Sequence, residues 1–78
     1  MIEKLTELLL KSIAKINWNL INSNRELKLR LARTIEGTGV ELIGVGSTSP
    51  QSGNGYLFVD ETYYEFRFNH ESVDVQEL

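Results

Sequence analysis

The 78-residue sequence predicts an α+β fold, an N-terminal amphipathic helix packed on a curved antiparallel β-meander of four strands, or five with a short last one. Three observations predict it. The first twenty residues space their apolar side chains by three and four, the helical period. From residue 25 onward apolar and polar residues alternate, the period of a half-buried strand. Turn-forming residues separate the later runs at short intervals, leaving no room for the crossovers a parallel sheet needs. A small β-barrel with an N-terminal helix satisfies the same pattern and is the alternative, favoured by a long first strand.

Each element follows from its own residues. Ile2, Leu5, Leu9, Ile13, Ile16 and Leu20 form one stripe, which predicts a helix over residues 2–21. Lys4, Lys11 and Lys15 fall on its far side, and Trp18 falls with them. Leu10, Ala14 and Ile21 make a second, weaker ridge beside Trp18, as if something besides the sheet covers this helix. Asn17, Asn19, Asn22 and Asn24 crowd its end and suit a C-terminal cap near residue 22. In "RELKLRLARTIEG" Leu27, Leu29, Leu31 and Ile35 alternate with polar neighbours, predicting a strand over 25–36 with Arg33 on its apolar side.

"GTG" at 37–39 turns the chain into a strand over 40–46, which Gly44 and Gly46 weaken. "GVGSTSPQSGNG" at 44–55 reads mainly as slack connector, mobile and able to adapt to a facing surface. Strands over 56–60 and 63–69 form a hairpin in either of two registers. A two-residue turn aligns Leu57 and Val59 with Tyr64, whereas a three-residue loop aligns Tyr56 and Phe58 with it. Val73 and Val75 supply the optional strand over 73–75, within an acidic tail that frays. All 78 residues belong to one domain, with no linker and no internal repeat.

Composition narrows the function classes. Hydrophobic content of 41% with 24% charged residues suits a globular chain rather than a disordered one. The absence of cysteine removes disulfides, thiolate metal sites and thiol nucleophiles, and suits a reducing, cytoplasmic setting. Glu3 and Glu7 interrupt the N-terminal apolar run, so it does not read as a targeting leader. No run approaches the roughly 18 apolar residues of a membrane span. The net charge of −3 hides an asymmetry: residues 1–33 carry seven bases and three acids, net +4, and residues 34–78 carry one base and eight acids, net −7. The two halves attract each other within one fold, or make a dipolar surface that steers a charged partner or a second copy.

Few residue groups carry the chemistry of a site. A phosphate cradle needs converging N–H groups at a helix N-terminus and usually a lysine. The 44–55 stretch has no lysine and leads into a strand. His70, Glu71 and Asp74, or Asp60, Glu61 and Glu65, have metal-ligand types but lack the spacing of a built site. The serines cluster in the 44–55 stretch without a base beside them, so no catalytic group is assigned, and no cofactor.

What remains is surplus apolar surface. Tyr56, Phe58, Tyr63 and Tyr64 cannot all lie beneath one helix. Tyrosine, tryptophan and arginine are the residues enriched in interface hot spots. The expected function is therefore a small, non-enzymatic protein–protein interaction module. It self-associates, or binds a larger protein as inhibitor, regulator or accessory subunit. The contact set is Leu10, Trp18, Ile21, Tyr56, Phe58, Tyr63 and Arg67. Weak nucleic-acid binding is the second expectation, through Lys4, Lys11, Lys15, Trp18, Arg25, Lys28 and Arg30. The acidic pI of about 5.0 weighs against it, and no membrane contact is expected. A small hydrolase or metal-binding protein is the third.

Overall fold

In the computed structural model, which describes residues 1–78, helix α1 spans Ile2–Ala14 and a 3₁₀ turn covers Trp18–Leu20. Helix α2 spans Asn24–Ile35, and strands β1 Glu41–Ser49, β2 Ser52–Val59, β3 Thr62–Asn69 and β4 Val73–Glu77 follow. The strands pair in chain order as one antiparallel meander, open at β1 and β4. The fold is the α+β arrangement anticipated, with an open sheet rather than a barrel. Both helices lie on one face of the sheet, α2 against β1 and α1 against β4, and the helices touch each other.

The first helix is shorter than its apolar stripe. Backbone bonds from Lys15 to Ser12 and Ile16 to Ile13 tighten its end. The Asn17 side chain then accepts from the Asn19 N–H at 3.1 Å and starts the 3₁₀ turn instead of capping a longer helix. Leu5, Leu9, Ile13 and Ile16 are buried as the stripe requires, while Ile2 and Leu20 remain exposed. Trp18 owes its apparent place on the solvent side to the assumption of a continuous helix. With α1 ended at Ala14 the chain swings Trp18 against the core, where it stacks on Phe68 with ring centroids 5.9 Å apart.

The strand predicted over 25–36 is helix α2. Leu27, Leu31 and Ile35 are buried, and their i, i+4, i+8 spacing satisfies a helix as well as a strand. Leu29 separates the two periods, and it is 54% exposed. Ser23 caps the helix by accepting from the Glu26 N–H at 3.2 Å, and Glu26 reaches back to the Asn22 N–H. Arg, Glu, Leu and Lys favour a helix, and no β-branched residue occurs before Thr34. Gly37 and Gly39, at φ of 81° and 83°, then bring the chain into β1.

The 44–55 stretch is not slack connector but a hairpin. Ser49 pairs with Ser52 across a Pro50–Gln51 turn, and Gln51 has φ of 66°. On the helix-covered face, Gly53 lies opposite Phe68 and Gly55 opposite Phe66, so both rings spread across β2. The next hairpin has a two-residue turn and the face alignment that goes with it. The turn is at Asp60–Glu61 rather than at Glu61–Thr62, between the strands expected over 56–60 and 63–69: Leu57 pairs with Tyr64, and Asp60 and Glu61 carry φ of 49° and 61°. The C-terminal tail does not fray. It forms β4 and continues with a Leu78 N–H to Tyr63 carbonyl bond of 2.9 Å. Leu57, Phe66, Phe68 and Val75 meet the helix residues in one buried cluster.

Candidate functional site

Period-two alternation fixes which side chains leave the sheet on the face opposite the helices. With Leu57, Val59, Tyr64, Phe66 and Phe68 turned inward, Asn54, Tyr56 and Phe58 of β2 and Tyr63, Glu65 and Arg67 of β3 turn outward. Pairing arranges them in rows. Glu41, Phe58 and Tyr63 form one row, and Gly44, Tyr56, Glu65 and Gln76 the next. Gly46, Asn54, Arg67 and Asp74 form the third. Neither helix packs on this face.

An antiparallel sheet with one solvated face normally carries polar residues there. This face is wholly polar only in its Arg67 row, and the other two rows mix Glu41, Glu65 and Gln76 with aromatic residues. Its other end is aromatic: the Phe58 and Tyr63 rings lie 4.6 Å apart, Tyr63 is 53% exposed and Tyr56 40% exposed. Ile43, the extra residue at the break in register between Leu42 and Gly44, is also exposed. Arg67 is the sole cation in these rows. It lies 3.7 Å from Glu65, with most of its side chain in solvent.

Of the residues expected to make contact, the structure gathers Tyr56, Phe58, Tyr63 and Arg67 on this one face. It does not bring Leu10, Trp18 and Ile21 to them. Trp18 and Ile21 pack against the core on the helix side, and Leu10 is exposed on α1. Asn54 and Glu65 belong to the face and escaped the sequence reading, as did the exposure of Ile43 at the break in register. Asn54 and Glu65 follow from the alternation of 54–58 and 63–67 once the turn is known, whereas Ile43 reaches the surface through a bulge that has no signal beyond nearby glycine.

The basic set is divided. Lys4, Lys11 and Lys15 on α1 and Arg25 and Lys28 on α2 are exposed. Arg30 is held by Glu26 at 3.3 Å, and Trp18 is taken up by Phe68. Through Glu36 the helical half has seven bases and four acids, and the rest has one base and seven acids. The basic and acidic layers thus lie back to back across the core.

A cleft of about 520 Å³ opens between the 3₁₀ turn and the β1–β2 hairpin, lined by Trp18, Asn19, Ile21 and residues 47–51, none of them charged. Asn24 Oδ1 accepts from the Ser47 N–H at 2.8 Å beside it and ties α2 to β1. His70 lies 3.3 Å from Glu71 at the β3–β4 turn. No helix is long and apolar enough to cross a membrane. No protein-family model, curated protein or solved structure matches the chain.

Proposed function

We propose that this protein works by protein–protein contact through the outer face of its sheet. It acts without chemistry of its own, as a self-associating module or as the regulator, inhibitor or accessory subunit of a larger protein. One observation carries this: Tyr56, Phe58 and Tyr63 stand together on a sheet face that no helix covers. Aromatic side chains give large contact area for few rotatable bonds, and a contiguous apolar patch on a small protein marks an interaction surface. Arg67 and Glu65 supply a polar rim next to it. The absence of cysteine supports a reducing, cytoplasmic setting for that contact.

Nucleic-acid binding through the helices has less support. Trp18 is committed to Phe68 and Arg30 to Glu26, which leaves lysines and Arg25 without an aromatic platform.

The test is photo-crosslinking in cells that make the protein, with a benzophenone side chain at position 63 and, as control, at position 7 on exposed α1. Protein adducts from position 63 but not from position 7 are the expected outcome. Equal adducts at both positions, or none at either, would remove the assignment of this face.

A further inference from the structure

Resting on the contact function above, we infer that the occupant of the sheet face is a second copy of this chain, packed sheet against sheet about a two-fold axis. The axis runs parallel to the strands, between the two sheets and midway between β2 and β3. The product is a four-layer assembly, helices outside and two sheets within.

The rows of the face carry the inference. That axis keeps each row at its own height and exchanges β2 with β3. Phe58 then faces the partner's Tyr63, and Tyr56 faces the partner's Glu65. Asn54 faces the partner's Arg67, and on the outer strands Asp74 faces the partner's Gly46. Aromatic rings meet aromatic rings, a phenol O–H meets a carboxylate that can accept it, and a guanidinium meets an amide oxygen. Directly across the two central strands no charge faces its own sign, while Glu65 and Arg67 each meet their own copy diagonally across the axis. An axis running across the strands would instead lay the aromatic end on the Asn54–Arg67 end. The pairing is thus self-complementary in one arrangement, as an isologous interface requires. Aligned packing of twisted sheets at about −30° and about 10 Å accommodates it near the axis.

The size of the face is adequate. Four strands about 4.8 Å apart with up to eight residues rising about 3.3 Å each make a face of about 500 Å². Two such faces bury about 1,000 Å², where specific interfaces begin, so the dimer is reversible. Salt provides a signature. Each face holds Arg67 against Glu41, Glu65 and Asp74, a net charge of −2. Screening relieves repulsion between two such faces, so added salt leaves the dimer intact or tightens it. A basic partner on the same face would be released by salt.

Sedimentation velocity of the purified chain over about a hundredfold range of micromolar concentrations tests this. The expected mass rises from 8.9 kDa toward twice that value, and does so no less at high salt. Tyr63→Asp weakens the dimer at least about tenfold, as expected for loss of a central aromatic anchor. Asn54→Arg, which sets two cations face to face, also weakens it, while Leu29→Asp on α2 leaves it unchanged. Both face positions lie at the surface, and circular dichroism confirms that each variant is folded. A dimer that survives both face variants lies on another surface and overturns the inference. A monomer throughout, with position 63 crosslinking only to a different protein, overturns the inference and leaves the contact function standing. A monomer with no crosslink removes both.

Discussion

Phe66 and Gly55 face each other across β2 and β3, and the ring lies where any larger residue would place its side chain. A Cβ at residue 55 would stand 2.6 Å from Phe66 Cζ and 2.5 Å from the Gly44 carbonyl oxygen. The ring cannot retreat, because Phe66 is fully buried under the helices. Gly55 is thus a packing requirement of the core, and Gly53 repeats the relationship with Phe68.

Gly55→Ala is therefore expected to cost about 1–3 kcal/mol, the range for overpacking a filled core. Gly44→Ala is the control, since a Cβ there meets nothing within 4 Å. It should change stability by less than about 0.5 kcal/mol, as for surface positions generally. Urea denaturation midpoints measure both, and similar losses at the two positions would contradict the account of Gly55.

Trp18 extends the same stack, since Phe68 stacks on both Phe66 and Trp18. Truncating it exposes Phe68 and removes a half-buried indole from the core margin. Trp18→Ala is expected to destabilise by about 2–3 kcal/mol, below the range for a fully buried tryptophan, while Trp18→Phe keeps most of the stability. Thermal unfolding followed by circular dichroism distinguishes this from a surface residue, whose loss would leave the midpoint nearly unmoved.

These two sites show where sequence periodicity stopped being informative. Gly53 and Gly55 look like slack until Phe66 and Phe68 are known to lie opposite them, and that is a tertiary fact. Residues 27, 31 and 35 fit a strand and a helix equally, because a spacing of four is a multiple of two and also about one helical turn. Leu29, the Ser23–Glu26 pair and the lack of β-branched residues before Thr34 distinguished the alternatives, and the first of these looked like one more inward leucine. The aromatic surplus was legible, because the adjacent Tyr63 and Tyr64 leave a strand on opposite faces under either turn. Which of them would face outward awaited the Asp60–Glu61 register. Trp18 was misplaced for one reason, the unbroken helix drawn through Asn17.

The Ser23–Glu26 pair deserves a direct measurement, since it is the local signal that starts α2. Ser23→Ala removes the acceptor for the Glu26 N–H and is expected to cost about 1 kcal/mol. Glu26→Ala removes the bond to the Asn22 N–H and the ion pair to Arg30, both partly exposed, and should cost less than the cap. A chain that lost nothing with Ser23→Ala in a denaturant titration would show that packing of Leu27, Leu31 and Ile35 alone holds the helix.

The Asp60–Glu61 turn offers a gain in stability. Both residues hold positive φ, 49° and 61°, in the two-residue hairpin that favours Asn-Gly. A glutamate in that region is strained by its Cβ, at about 1 kcal/mol or more, and glycine is not. Asp60→Asn with Glu61→Gly should therefore stabilise the protein by about 0.5–1 kcal/mol, the strain relief exceeding the entropy that glycine adds to the unfolded chain. The same reasoning with opposite sign applies at Gly37, where φ is 81° and a Cβ would meet nothing within 4 Å. Gly37→Ala should lose about 1 kcal/mol from the torsion alone, with no packing contribution. Midpoints that rise for the turn pair and fall for Gly37 identify backbone conformation as the common cause; a fall in both would show that Asp60 or Glu61 makes a stabilising interaction that outweighs its strain.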